Sequence, residues 1–174
     1  MDQIIIPTFN ALKKEGISYK GVLYAGLMIK DNHPKLIEYN VRFGDPECQV
    51  MLPRLKTDFV SILTAVNDGN LDKIQIEWED TYSLIIIMAT KGYPDKYPLS
   101  TTIHGLENIN SNDSIIFHSG TKISNNILQS NGGRVLGITS IGETLSIAKD
   151  KSYNSINKIN WPEGFFRKDI GIIY

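Results

Sequence analysis

The chain has 174 residues, 41% of them hydrophobic and 21% charged, with a formal net charge of -1. That length suffices for one ordinary domain or two small lobes, and the composition is close to that of an average globular protein, which favours neither a disordered polymer nor a membrane protein. The near-neutral charge, with no basic stripe, argues against a nucleic-acid binder, since neutralising a phosphate chain takes a concentrated excess of Lys and Arg.

The opening run Met1-Asp2-Gln3-Ile4-Ile5-Ile6-Pro7 lacks the basic start and cleavage site of a signal peptide. It reads instead as a chain that starts abruptly, as though Met1 sat inside a helix begun upstream. Thr8 is expected to cap a short helix from Phe9 to Glu15, with Gly16 as its stop. A β-hairpin follows, with strands over 19–29 and 35–43 around the turn Lys30-Asp31-Asn32-His33-Pro34. Period-two alternation puts Ile37, Tyr39, Val41 and Phe43 on one face, read as core, and Glu38, Asn40 and Arg42 on the other.

Asp45 then reads as an N-cap, with Pro46 at the first helical position and Glu47 favourable to the helix dipole. Val50, Met51, Leu52, Leu55, Phe59, Ile62, Leu63 and Val66 continue one long helix, ended by Asn67-Asp68-Gly69-Asn70. Strands are expected over 73–79 and 82–90, then a turn-rich stretch over 92–98. Shorter strands follow over 101–104, 114–118, 121–124 and 134–139. Gly142-Glu143-Thr144 introduces a last helix carrying Leu145, Ile147, Ala148, Tyr153 and Ile156, before a tail with Trp161, Phe165 and Phe166. A second, β-rich lobe is expected to begin near residue 71.

Cys48 is the only cysteine, so no intrachain disulfide forms, and no Cys/His metal cluster is recognisable. A cytoplasmic location is the expectation. Apolar runs such as 84–89 are far shorter than the ~20 residues that span a bilayer. Gly132-Gly133-Arg134 precedes a strand and does not open a helix, so it reads as a turn and not a phosphate loop. His104 and His118 have no triad-like partner in the sequence and read as structural, and His33 reads as a turn residue.

Chemistry concentrates in Glu38-x-Asn40-x-Arg42 followed by Gly44-Asp45-Pro46-Glu47. Mg²⁺ takes oxygen ligands in an octahedral shell, commonly one or two from protein and the rest from phosphate and water, so Glu38 and Asn40 can supply two. Arg42 on the same face can pair with a phosphate and offset charge that develops in phosphoryl transfer. By spacing alone, the same residues are equally the wetted face of a half-exposed strand, and Asp45 a plain helix cap.

The runs Tyr19-x-Gly21-x-Leu23-Tyr24-Ala25-Gly26-Leu27-Met28 and Ile37-Glu38-Tyr39-Asn40-Val41-Arg42-Phe43-Gly44-Asp45-Pro46-Glu47 closely resemble the phosphoribosylamine–glycine ligase family. Glu-x-Asn recurs across the ATP-grasp superfamily; Phe-Gly-Asp-Pro-Glu singles out this family. The resemblance continues in order through Leu52 to Asp58, Gly92-Tyr93-Pro94, Ile103 to Leu106, Phe117 to Thr121, Gly132 to Leu136 and Arg167 to Gly171.

That resemblance implies an α+β fold: residues 1–70 as the C-terminal piece of an ATP-grasp domain, a β-hairpin plus helices, and 71–174 as a small β-rich C-terminal domain. It implies an ATP-dependent ligase that joins glycine to 5-phosphoribosylamine through glycyl phosphate. Glu38 and Asn40 would hold Mg²⁺ or Mn²⁺, Arg42 would hold the transferred phosphoryl group, and Asp45 would orient glycine. Arg167 and Lys168 would approach the ribosyl phosphate. The N-terminal lobes, with the adenine pocket, the phosphate-reaching lysines and the lid, are absent from this sequence, so the chain alone is expected to be inactive. A non-catalytic binding module and one subunit of a split ligase are the alternatives.

Overall fold

The computed structural model describes residues 1–172. They form two compact units: Met1–Glu47 with Leu55–Glu77, and Cys48–Arg54 with Trp78 onward.

In the first unit, helix α1 spans Ile5–Lys14, starting three residues before the expected cap. Thr8 lies inside it, and its hydroxyl donates to the Ile4 carbonyl at 2.7 Å. Pro7 is tolerated there because first-turn N–H groups have no intrahelical acceptor. The hairpin is present but shorter than expected: β1 spans Tyr24–Lys30 and β2 spans His33–Asn40, paired antiparallel. The turn is the two-residue Asp31-Asn32, both with positive φ, as the primed turns that match strand twist require.

Two expectations about β2 are corrected. The strand ends at Asn40, so Val41, Arg42 and Phe43 lie in the loop beyond it. The face read as core is open: Ile37 is 63% and Val41 73% exposed, and Tyr39 also counts among the exposed residues. Phe43 packs its ring centroid 6.0 Å from that of Phe59, and the Tyr39 hydroxyl forms a hydrogen bond with the Thr8 hydroxyl.

The single long helix also divides. Helix α2 is only Glu47–Met51, starting after Pro46, and a 3₁₀ turn follows at Leu52–Arg54. Helix α3, Phe59–Asp68, starts afresh in the first unit with Asp58 as its cap; Ser61 N–H donates to Asp58 Oδ2 at 2.7 Å. Gly69, in the left-handed region, ends it. The expected strand over 73–79 is instead a 3₁₀ turn, Leu71–Lys73, followed by extended chain. Within the first unit it bonds to 56–57: Lys56 N–H donates to Glu77 O at 3.0 Å, and Glu77 N–H to Thr57 Oγ1 at 2.7 Å.

The second unit is built on an antiparallel sheet of order β4-β7-β3-β8, from β3 (Tyr82–Thr90), β4 (Ile115–His118), β7 (Arg134–Gly142) and β8 (Gly164–Phe165). Ile86 faces Ile138 and Met88 faces Leu136 across the central pair. Leu84, Ile86 and Met88, alternating along β3, share the buried core with Val135, Leu136 and Ile138. Each such side chain contributes roughly 1.5–3 kcal/mol of apolar burial. A separate hairpin joins β5 (Thr121–Ser124) to β6 (Ile127–Ser130). The stretch over 101–104 forms only isolated bridges, Thr102 with Gln129 and His104 with Asn160, and no strand.

Helix α4, Leu145–Ile156, is capped by Thr144, which accepts from Ile147 N–H at 3.2 Å. It buries Ala148, Ser152, Ser155 and Ile156, a spacing that keeps one face on the core. The small residues on that face bring polar atoms inside, and these are paired. Ser114 Oγ lies 2.6 Å from Ser140 Oγ and 2.7 Å from Ser155 Oγ, and Ser152 donates to Leu84 O at 3.3 Å. The Cys48–Arg54 segment is tied into this unit: Thr139 donates to Gln49 O at 3.0 Å, and Glu79 N–H donates to Arg54 O at 2.7 Å. Among the described residues, no helix is long and apolar enough to cross a membrane.

Candidate functional site

Glu38 and Asn40 are two residues apart on β2 and therefore share a face. Asn40 Nδ2 donates to Glu38 Oε1 at 3.0 Å. That leaves Glu38 Oε2 and Asn40 Oδ1 as hard oxygen donors suited to Mg²⁺ or Mn²⁺. Glu38 is exposed and Asn40 half-buried, so the pair is open to ligand. Across the ladder, Glu38 faces Gly26 and Asn40 faces Tyr24. A methyl group on Gly26 would come within 3.1 Å of Glu38 Cγ, so the missing side chain gives Glu38 room. No group of three or more His, Cys, Asp or Glu side chains placed to hold a metal occurs among the described residues. Two protein oxygens completed by phosphate and water is the donor set that fits.

Arg42 does not extend the strand face as expected. It lies in the following loop, exposed, with Nη1 donating to Phe43 O at 2.8 Å. Asp45 is exposed in the same loop, just ahead of α2. Tyr24 and Glu47, absent from the sequence-derived set of candidate ligands, join this region: the Tyr24 hydroxyl donates to Glu47 Oε1 at 3.0 Å. That hydrogen bond, then burial and the negative charges of Glu47 and Glu38, raise the phenol above its ordinary pKa, so it remains a donor at neutral pH. Nothing in strand periodicity marks Tyr24 as polar-facing; its place opposite Asn40 in the register is the only signal.

Arg167 and Lys168 belong to the second unit, and both are exposed. Arg167 makes a two-pronged ion pair with Asp169, at 2.9 Å through Nε and 2.5 Å through Nη2. The Arg167 hydrogen bond holds the Asp169 carboxyl below its usual range. His118 Nδ1 lies 3.0 Å from Thr121 Oγ1, and His33 Nδ1 lies 2.7 Å from Asp31 O. Gly132-Gly133 forms the approach to β7 and no helix follows it.

Comparison with known proteins gives one consistent answer. Phosphoribosylamine–glycine ligases from Brucella melitensis and Mesorhizobium japonicum are 43% and 46% identical to this chain over 98% of its length, and the chain covers 40% of each. The enzyme of that name from Vigna unguiculata is 46% identical over 95% of the chain, which covers 55% of that relative. The chain thus spans well under two thirds of the curated relatives it matches. The crystal structure of phosphoribosylamine–glycine ligase from Thermotoga maritima superposes with a TM-score of 0.80 at 32% identity, over 93% of this chain and 40% of that one. The ATP-grasp (A) domain of phosphoribosylglycinamide synthetase matches residues 1–48, and the C domain of the same synthetase matches residues 83–172. With the C-domain match alone covering more than half of the 174 residues, the chain belongs to the phosphoribosylglycinamide synthetase family.

Proposed function

We propose that this chain is the C-terminal part of an ATP-dependent ligase that joins glycine to 5-phosphoribosylamine, giving glycinamide ribonucleotide, ADP and phosphate. Within that reading, residues 1–70 complete an ATP-grasp domain and 71–174 form the family's C-terminal domain; residues 173 and 174 lie outside the described residues. The observation that carries the proposal is the Glu38–Asn40 pair on one strand face, followed at once by Arg42 and Asp45, inside the segment matched by the ATP-grasp domain.

In the proposed reaction the carboxylate of glycine attacks the γ-phosphate of ATP, and the amine of phosphoribosylamine then displaces phosphate from glycyl phosphate. Glu38 and Asn40 would hold Mg²⁺ or Mn²⁺, which would supply positive charge to offset that of the phosphates. Arg42 supplies a fixed positive charge to the transferred phosphoryl oxygens. Asp45, an exposed carboxylate three residues along, orients the ammonium group of glycine. Arg167 and Lys168 bind the ribosyl phosphate, for which Arg167 exchanges its Asp169 partner.

The adenine pocket, the phosphate-reaching lysines and the lid fall, by family resemblance, in the part of the relatives that this chain does not span. The 174-residue chain alone is therefore expected to release no ADP in the presence of glycine and phosphoribosylamine. Glu38→Ala and Asn40→Ala, made in the full-length ligase, test the site directly. Loss of Mg·ATP affinity or of turnover is expected in both, and unchanged kinetics in both remove the metal assignment.

A further inference from the structure

The loop that carries Arg42 and Asp45 has no helix or strand of its own between Asn40 and Glu47. Such a segment keeps a fixed geometry only through tethers, and misplacement of a reacting group by ~1 Å costs up to about 100-fold in rate. The first tether is the Phe43 ring against Phe59. The second is Glu47, whose side chain folds back over the buried Gly44; a Cβ on Gly44 would stand 2.1 Å from Glu47 Oε2. The third is the bond from the Tyr24 hydroxyl to Glu47 Oε1 at 3.0 Å. Tyr24 faces Asn40 in the β1–β2 register. The chain therefore leaves the strand at Asn40, runs through the loop to Glu47, and is brought back by Tyr24 to the point it left.

We propose that Tyr24 is a positioning residue: its hydroxyl latches Glu47, and the latch holds the 42–47 loop, with Arg42 and Asp45, in register with the Glu38–Asn40 pair. The inference rests on the ligase reading above. Tyr24 touches no substrate in this scheme, and Glu47 serves as a hydrogen-bond acceptor and not as a cation ligand.

The test uses the full-length ligase, with Tyr24→Phe, Gly44→Ala, Glu47→Leu, Glu47→Gln and Glu38→Gln, each read by steady-state kinetics, Mn²⁺ binding by electron paramagnetic resonance and amide hydrogen exchange of residues 42–47. Tyr24→Phe keeps the ring and removes only the donor. It is expected to lower kcat about three- to tenfold, leave Mn²⁺ affinity unchanged and speed exchange in the loop. Gly44→Ala displaces the Glu47 carboxylate and is expected to do the same. Glu47→Gln, which retains an acceptor, recovers a large part of what Glu47→Leu loses. If Glu38→Gln abolishes Mn²⁺ binding while Tyr24→Phe and Gly44→Ala match the wild type in kcat and exchange, the latch is wrong and the ligase site stands. If Glu47→Gln is as poor as Glu47→Leu and both lose Mn²⁺, Glu47 is a ligand and the latch is overturned. If Glu38→Gln keeps full Mn²⁺ affinity and turnover, the site reading itself falls and the latch with it.

Discussion

Asn40 Nδ2 sits 3.0 Å from Glu38 Oε1, so the two oxygen-bearing side chains at the end of β2 are held as one unit before any ligand arrives. Pre-formed geometry of this kind reduces the ordering cost of binding. It also makes the pair sensitive to the charge of its second member.

Asn40→Asp replaces the donor with a second carboxylate beside Glu38. Thermal melts at low ionic strength are expected to show a lower Tm than wild type without divalent cation, and a larger rise than wild type when Mn²⁺ is added. Equal Mn²⁺ shifts in the two proteins would mean that the cation does not sit on this pair.

Helix α3 depends on Asp58, whose Oδ2 accepts from Ser61 Oγ and from Ser61 N–H, each at 2.7 Å. These bonds hold its carboxyl below the ordinary value of 3.8. A group with a depressed folded pKa contributes stability above its unfolded pKa and loses that contribution as pH falls through the folded value. Asp58→Ala is therefore expected to lower Tm at pH 7, with the gap from wild type closing as the pH drops below about 4. A gap that is constant with pH would show that the cap bonds do not need the charge.

The core of the second unit is centred on fully buried side chains such as Ile138, which is 0% exposed and pairs with Ile86 across β3 and β7. Ile138→Ala removes buried methyl and methylene groups and is expected to cost about 2–5 kcal/mol. Chemical denaturation monitored by Trp161 fluorescence measures it, since Trp161 is buried in the same core. A loss below about 1 kcal/mol would mean that the sheet relaxes to fill the space.

Gly105 has φ +89°, and a Cβ there would stand 2.2 Å from the Lys158 carbonyl oxygen. The obstacle is backbone, held by the reciprocal His104–Asn160 bonds on either side. Gly105→Ala is expected to destabilise the second unit by at least the ~1–3 kcal/mol typical of a strained backbone position. Gly16→Ala shares a positive φ but meets nothing within 4 Å, and it is the control for conformation without collision.

The sequence carried β3 to the residue, because the run 82–90 combines β-branched residues with a turn-rich stretch after it. It carried the start of α4 just after Gly142-Glu143-Thr144 and the stop at Gly69 for the same kind of local reason. Two further local signals lie in the sequence. Asp58-x-x-Ser61 marks a second helix start within the apolar run over 50–66. Asn125-Asn126, both with positive φ, marks the tight turn that pairs β5 with β6.

What the sequence by itself determined was the family and the α+β class, and it placed Glu38, Asn40, Arg42 and Asp45 within one short stretch as candidates, since these depend on residue identity and short-range spacing. Tertiary structure alone decided that the Cys48–Arg54 segment joins the second unit, through a hydrogen bond between residues 90 positions apart, Thr139 and Gln49. It alone decided that β2 stops at Asn40 and that Tyr24 reaches Glu47 across the hairpin. Periodicity specifies which side of a strand a residue occupies; it holds no information about where ladder bonding ends or which distant group meets a side chain, because those are set by contacts between segments remote in the chain.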